Sequence, residues 1–224
     1  MRMIKGHETR ERIVQRAERI AGHEGLDGLT IGVLATQLGM SKSGLFVHFG
    51  NREGLQLAVL QRAVDRFNAE VLYPALRTRS GAPRLRALVD HWLAWERTRH
   101  ARGGDLLSAA AFEFDDRPGL VRDYLVTSQR QWLTTLSTAC TIAIEVRHFR
   151  AAVDAGHWVR EAHGIILAHR VAQRLLGDAL ADGRAARAVS ELFARARSDA
   201  GDAGDGGREG VRGRPRTPRR RRAA

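Results

Sequence analysis

Apolar residues recur along most of the chain at intervals of three and four, the spacing that collects side chains on one face of an α-helix. In residues 8–25 this stripe consists of Ile13, Val14, Ala17, Ile20 and Ala21. Polar and charged residues fill the positions between them, and Gly25 is a typical residue to end such a helix. No alternation with a period of two is sustained, so the pattern predicts an all-α fold.

Residues 28–55 predict two short helices joined by a tight turn. Thr30 and Ser41 are suited to cap these helices, and Gly39 is suited to end the first one. In the second helix the inward-facing pair is Leu45 and Phe49, and the outward side chains are Lys42, Ser43, Phe46, Val47 and His48. Such a helix, with little buried surface, is typical of the reading helix in a helix-turn-helix DNA-binding domain.

The rest of the chain predicts a larger helical bundle. Asn51 is suited to cap a long helix that we expect to end at Pro74, because proline breaks a helix interior. Further helices are predicted after Pro83, in the segment DLLSAAAFEF, after Pro118, after Asp154 and from about Arg184. The predicted parts are a helix-turn-helix domain at 1–50, a helical ligand-binding and dimerisation domain at 51–199, and a tail at 200–224.

The formal net charge of +12 suits a polyanionic partner such as double-stranded DNA. Arginine supplies nearly all of the positive charge, since Lys5 and Lys42 are the only lysines. One of these two lysines therefore lies at the start of the predicted reading helix.

Other classes of protein fit the sequence poorly. The single Cys140 excludes an internal disulfide and fits a reducing cytoplasm. There is no apolar signal core, and the longest charge-free run, 131–144, is shorter than the ~20 residues of a membrane span. Asp154, His157 and Glu161 share a helix face, as the ligands of a metal could. A helix N-cap at Asp154, with His157 and Glu161 exposed to solvent, explains them better. We expect a cytoplasmic protein with no catalytic site, cofactor, metal or membrane partner.

Residues 8–60 resemble the N-terminal domain of TetR-type (tetracycline-repressor-like) transcriptional regulators. The resemblance is carried by the string G-L-T…L-A…L-G-M-S-K-S-G-L-F-V-H-F-G-N-R-E-G-L. It implies that the DNA-facing residues are Thr30, Ser41, Lys42, Ser43, Phe46, His48 and Arg52. Two positions depart from the family, which commonly has an aromatic residue at Val47 and a lysine at Arg52.

The resemblance also assigns roles within the major groove, which residues 41–48, including Gly44, would enter. The expected phosphate contacts, which set the register on DNA, are made by Thr30, Ser41, His48 and Arg52. The expected base-edge contacts are made by Lys42 and Ser43. Phe46 would pack on sugar-phosphate or a thymine methyl group, and Val47 would contact a thymine methyl group.

The resemblance further implies an apolar effector pocket among the helices of residues 51–154. The candidate lining residues, chosen where aromatic side chains are dense, are His91, Trp92, Trp95, Phe112 and Trp132. The alternative for these side chains is an ordinary bundle core.

The last two helices predict a homodimer interface, because one reading helix needs a twin to reach two half-sites. The candidate interface residues are Ile165, Ile166, His169, Ala172 and Leu176, followed by Leu192 and Phe193. Packing of both stripes within their own subunit is the alternative.

The tail at 200–224 has almost no apolar residues, so we expect it to be disordered and basic. Residues 212–215, with the sequence RGRP, resemble the core of an AT-hook, which lays arginines into narrow minor grooves. A tail that is merely charged is the alternative.

These features predict a homodimeric regulator, most simply a repressor, that a small apolar effector releases from its operator. Rotation of the helix that begins at Asn51 would carry the signal to the reading helix. The alternative is a constitutive nucleoid-type DNA-binding protein without an effector.

Overall fold

The computed structural model describes the backbone of residues 2–100 and 105–198, and the side chains of 8–98 and 105–198. The N-terminal helices are α1 (Arg2–Glu24), α2 (Ile31–Leu38) and α3 (Lys42–Phe49). A long helix, α4 (Arg52–Phe67), continues as a π-helix (Asn68–Leu72) and as α5 (Tyr73–Leu76). The others are α6 (Ala82–His100), α7 (Leu106–Glu113), α8 (Leu120–Glu145), α9 (Ala155–Arg174) and α10 (Ala181–Ala196). The predicted all-α fold is confirmed, whereas the tail and its AT-hook candidate lie outside the described residues.

The helix after Asn51 does not end at Pro74, as the sequence predicts. Five residues of π-helix intervene, and Pro74 then lies in the first turn of α5. The missing N–H of a proline costs least in a first turn, so the helical path continues to Leu76. The last helix also begins earlier than expected, at Ala181.

Buried apolar side chains form two clusters that cross the predicted boundary between residues 50 and 51. The N-terminal cluster joins α1, α2, α3 and the first part of α4 to Leu106, Ala110 and Phe114 from the α7 region and Val121 and Leu125 from α8. The second cluster joins the end of α4 to α6, α8, α9 and α10. The three N-terminal helices therefore share their core with the bundle that follows them.

A short joint connects α3 to α4 with very little free space. The Gly50 N–H donates to the Phe46 carbonyl at 2.8 Å, and Gly50 has φ +72°, a left-handed conformation that favours glycine. The Asn51 side chain accepts the Gly54 N–H at 2.7 Å. A Cβ atom added at Gly54 would lie 2.2 Å from the carbonyl oxygen of Phe49. The two helices thus meet backbone against backbone, and a movement of α4 must be passed to α3.

Replacing Gly54 with alanine should separate α3 from α4, because its Cβ would overlap a backbone oxygen that no side-chain rotation can move. We expect Gly54→Ala to lower the unfolding temperature and to weaken DNA binding. Gly32→Ala is the matched control for stability, since its Cβ meets only side-chain atoms at ordinary contact distances, of Lys42 at 3.7 Å and of Thr30 at 3.9 Å. It should stabilise α2 by about 0.5–1 kcal/mol. Equal changes in the unfolding temperature of the two variants would contradict the proposed contact.

Candidate DNA-binding surface and internal cavity

Side-chain caps at the starts of α2 and α3, together with a glycine at the end of α2, shape the helix-turn-helix. The Thr30 hydroxyl accepts the Val33 N–H at 3.2 Å, and the Ser41 hydroxyl accepts the Gly44 N–H at 3.1 Å. Gly39 has φ +61°, which ends α2 in a left-handed residue. The Thr30 hydroxyl keeps a proton that it can donate outward, whereas the Ser41 hydroxyl also shares a hydrogen bond with the Ser43 hydroxyl at 3.1 Å. Capping is therefore compatible with the phosphate contacts expected of both residues.

The outer face of α3 combines polar and apolar side chains. Leu45 and Phe49 are buried beneath it, as the spacing predicts. Lys42 and Ser43 are exposed, Phe46 is 48% exposed and Val47 is 85% exposed. Gly44 and His48 are half-buried beside them. Phe46 and Val47 are thus neighbouring exposed apolar side chains on a helix that is narrow enough to enter a major groove.

Arg52 is bound to the protein itself, a contact that the sequence did not reveal. Its Nε donates to the Leu29 carbonyl at 3.2 Å, and its guanidinium also binds the Asp27 carbonyl. The same guanidinium forms a 2.6 Å ion pair with the Asp27 carboxylate. Arg52 therefore holds the loop that leads into Thr30, and its expected contact with phosphate stays a prediction.

The loop between α1 and α2 also binds residues at the end of α7 and in the α7–α8 connection. The Glu113 carboxylate accepts the Leu26 N–H at 2.9 Å and the Asp27 N–H at 2.6 Å. Arg117 pairs with Asp27 at 3.0 Å, and the hydrogen bond from Arg117 is the main reason that the pKa of Asp27 is lowered. The Glu53 carboxylate accepts the Leu120 N–H at 3.0 Å. We call this set of contacts the interdomain clamp.

Sequence reasoning missed the clamp because its partners are more than 60 residues apart along the chain. Glu113 and Leu26, for example, are separated by 87 positions. The one local signal was the glycine at the end of α1. Gly25 has φ +83°, and an added Cβ would lie 3.2 Å from the Glu113 carboxylate.

A cavity of about 260 Å³ lies between α4, α6, α7 and α8. Its apolar lining consists of Val64, Phe67, Leu72, Trp92, Leu107, Leu125 and Trp132. Its polar lining consists of Asn68, Asp105, Ser108, Ser128, Gln129, Gln131 and Thr135. Cavities of this kind, mostly apolar with a few convergent polar groups, are typical of small-molecule sites.

Two of the five predicted pocket residues, Trp92 and Trp132, line the cavity. Trp95 is buried beside it and donates its indole N–H to Asp105 at 3.0 Å. The ring of His91 lies 3.3 Å from the Val71 carbonyl, away from the lining. Phe112 is 62% exposed, because it lies on the outer face of the short helix α7. His91, Trp95 and Phe112 therefore lie outside the lining of this cavity, and their assignment to a ligand pocket stays a prediction.

A buried polar cluster closes the α6–α7 end of the cavity. Asp105 caps α7 and accepts the Ser108 N–H at 2.9 Å and the Ser108 hydroxyl at 2.6 Å. Glu96 lies beside Ser108 at 3.2 Å and beside Arg170 at 3.6 Å. Burial, reinforced by the Asp105 charge, raises the pKa of Glu96 to about 8. Glu96 is therefore largely protonated at neutral pH. Of these two carboxyl groups, Asp105 is the one that lines the cavity.

Two family profiles match the chain. One, described as bacterial regulatory proteins of the tetR family, matches residues 13–59. The other, described as the tetracyclin repressor-like C-terminal domain, matches residues 81–189. Together these profiles span both the helix-turn-helix and most of the helical bundle. The chain belongs to the TetR family.

Solved structures share this fold. A TetR transcriptional regulator from Chloroflexus aurantiacus J-10-FL is 24% identical with a TM-score of 0.75, covering 88% of this chain and 100% of the other. A regulator from Saccharomonospora viridis, solved with choline, is 18% identical with a TM-score of 0.72, covering 86% and 99%. AibR, solved with isovaleryl coenzyme A and operator DNA, is 23% identical with a TM-score of 0.63, covering 80% and 96%. Comparison with curated proteins gives no match.

As a TetR-family member, the protein is a DNA-binding transcriptional regulator and not an enzyme. Over the described residues, no group of histidine, cysteine and carboxylate side chains is placed to hold a metal. Asp154 caps α9 by accepting the His157 N–H at 2.7 Å, and Glu161 pairs with His157 at 3.3 Å. No helix in the described part of the chain is both long and apolar enough to cross a membrane.

In this regulator, α9 and α10 bury much of the face that the sequence assigned to a dimer. Ile166, His169, Leu192 and Phe193 are almost fully buried within their own subunit. His169 binds Asp182 at 2.8 Å, which ties the two helices together. Ile165 and Ala172 are half-buried and Leu176 is exposed. Ile166, His169, Leu192 and Phe193 therefore pack within their own subunit, which is the alternative that the sequence left open for these stripes.

Lys42→Ala tests the reading face of α3. Lys42 is exposed and contributes nothing to the core, so the variant should unfold at the same temperature as the wild type. We expect weaker binding to DNA that the wild type selects, with discrimination at one base pair reduced by about 1–3 kcal/mol. Arg130→Ala, which removes an exposed charge from α8, should leave binding unchanged. Equal affinities of wild type and Lys42→Ala in a binding titration would contradict the assignment.

Proposed function

We propose that this TetR-family regulator binds its operator as a homodimer and leaves it when a small effector occupies the cavity, so that it acts as a repressor. The observation that carries this proposal is the shared helix. Val64, Phe67, Asn68 and Leu72 line the cavity and belong to α4 and its π-helical extension. The other end of α4 meets the reading helix α3 through the two-residue joint. A ligand in the cavity therefore acts on a helix that is in direct contact with the reading helix.

Within the proposed complex, α3 enters the major groove. Lys42 and Ser43 read base edges, and Phe46 and Val47 contact apolar groups of DNA. Thr30, Ser41 and His48 bind phosphates and fix the register. Arg52 acts through the loop that it braces.

The interdomain clamp gives the effector a second route to the reading head. The short helix α7 contributes Leu107 and Ser108 to the cavity, and its last residue, Glu113, holds the loop before α2. A ligand that shifts α7 relative to α4 changes the loop and the α3–α4 joint together. Such a displacement alters the separation of two reading helices in a dimer and weakens operator binding.

Exposed apolar and small residues support dimerisation through the outer face of α9. Val171 is 48% exposed, and Leu175 and Leu176 follow it as two still more exposed leucines. Ala168 and Gly164, one and two turns before Val171, lie on the same exposed side. A Cβ at Gly164 would meet nothing within 4 Å. This face can approach a second copy closely, and a twofold pair presents two reading helices.

Two structural neighbours support a small-molecule effector. One was solved with isovaleryl coenzyme A together with operator DNA, and another with choline. Their ligands differ in size and charge, so the neighbours support a small-molecule site without identifying its ligand here.

Selection of bound sequences from a random DNA pool tests the proposed function. We expect a palindromic consensus, because a twofold dimer reads two inverted half-sites. Enrichment without a consensus, together with affinity that follows charge alone, would favour the nucleoid-type alternative. The selected operator then serves to test release by ligands.

Val171→Glu tests the proposed dimer face. Since Val171 is exposed, the charge should leave the subunit folded but destabilise the association of two apolar faces. We expect sedimentation to give a monomer and operator binding to weaken strongly. Val146→Glu is the matched control, because Val146 is equally exposed, at 48%, and lies at the end of α8. A dimeric Val171→Glu protein would place the interface elsewhere.

Glu113→Gln tests the interdomain clamp without touching DNA. Two backbone N–H groups now share one carboxylate, and an amide offers only one oxygen to them. We expect the Leu26 and Asp27 amides to exchange hydrogen faster and operator affinity to change. Glu145→Gln, at the exposed end of α8, should change neither. Unchanged exchange at both amides would rule out the clamp as a support for the reading head.

A further inference from the structure

The cavity carries an aromatic wall. Phe67, Trp92 and Trp132 line it, with the Trp132 ring centroid 4.8 Å from that of Phe67 and 5.3 Å from that of Trp92. The indole N–H of Trp132 is buried, and no acceptor for it lies among the described residues. Buried polar groups in folded proteins are nearly always paired, so this donor calls for a hydrogen-bond acceptor within the cavity and does not bear on the charge of a ligand. Aromatic rings also attract cations through their quadrupoles.

The charge of the lining has one sign. Among the described residues that line the cavity, Asp105 alone has a charged side chain. Arg170 and Arg174 lie near Asp105 and Glu96 but are not part of the lining. Among the described residues, an anionic ligand would therefore meet a carboxylate and no basic side chain, which disfavours it by charge repulsion and desolvation.

The oxygens of Asp105 are already hydrogen-bonded. One accepts the Trp95 indole N–H at 3.0 Å and the Leu107 N–H at 3.3 Å. The other accepts the Ser108 N–H at 2.9 Å and the Ser108 hydroxyl at 2.6 Å. A ligand thus finds few free lone pairs but still meets a negative charge. This environment favours a diffuse, weakly hydrated cation over a primary amine that must donate several hydrogen bonds.

We propose that the effector is an amphipathic organic cation, in which a quaternary or tertiary ammonium group near Asp105 is joined to an apolar body against Trp92 and Trp132. This inference rests on the proposed function, because it names the chemistry of the effector. The established family membership and the solved neighbours do not assign this class to the chain.

Glu96 gives the proposed site a dependence on pH. It faces Asp105, Ser108 and Arg170, and burial raises its pKa to about 8. A bound cation favours the ionised form of Glu96, so binding below pH 8 releases protons. The affinity for a cation should therefore rise as the pH increases from 6 to about 8, and Glu96→Gln should flatten this rise.

Three probes of one shape test the charge directly. They are benzyltrimethylammonium, its neutral carbon isostere neopentylbenzene, and the anion phenylmethanesulfonate. Each is titrated into the full chain, with tryptophan fluorescence and unfolding temperature as readouts. We expect the cation to bind at least about tenfold more tightly than the neutral isostere, and the anion to bind most weakly.

Asp105→Asn tests the assigned residue, because it removes the charge and keeps one oxygen that can cap α7. Its amide nitrogen faces two of the four donors that Asp105 now accepts, so the unfolding temperature of the variant is measured first. The variant should lose about tenfold in affinity for the cation and keep its affinity for neopentylbenzene. Asp154→Asn, which removes a capping charge from α9 outside the cavity, is the matched control. If Asp105→Asn does not fold, the three probes on the wild type decide the question by themselves.

Several results would overturn the inference. They are binding of the neutral isostere as tight as that of the cation, a preference for the anion, no binding by any probe, or an unchanged preference in folded Asp105→Asn. Operator release is measured separately. If the cation binds as expected without weakening operator binding, the ligand class stands and the proposed function fails. If another probe binds and releases the operator, the function stands and the cation class is wrong.

Discussion

The contact between the last carbonyl of α3 and the first turn of α4 is the constraint on which the regulator's architecture depends. At Gly54 there is no space for a side chain, since even a Cβ would lie 2.2 Å from the Phe49 oxygen. A joint this tight removes independent motion between the reading helix and the helix behind it. The orientation of α3 is therefore tied to the packing of α4, and the C-terminal part of α4 lines the cavity.

Two features make that packing adjustable. The cavity leaves α4 without a protein neighbour over part of its length, and the helix changes to π geometry at Asn68, a cavity-lining residue. Such π segments are often found at functional sites. The interdomain clamp adds a polar connection, because Glu113 holds two backbone N–H groups of the loop before α2. Apolar packing and charge-assisted hydrogen bonds thus link the same two parts of the molecule.

The buried carboxylates beside the cavity show why its chemistry needed the structure. Asp105 was not among the residues selected from the sequence. It is the first residue of DLLSAAAFEF, where an aspartate is expected to be an ordinary helix cap. It is indeed a cap, but the fold also places it against Glu96, Trp95 and the cavity. Phe112 is the opposite case. An aromatic residue in an apolar helix is expected to be buried, but the position of Phe112 on α7 directs its side chain to solvent.

The sequence by itself determined the local structure of the DNA-binding head and the class of fold. Caps at Thr30, Ser41 and Asn51, the left-handed Gly39 and the buried pair Leu45 and Phe49 are local features, so their signals lie within a few residues of each other. Only the tertiary structure decided that Arg52 binds Asp27, that Glu113 grips the α1–α2 loop, and that Ile166 and Leu192 face their own core. These outcomes depend on which helix faces meet, and an amphipathic stripe shows that a face is buried without showing against what.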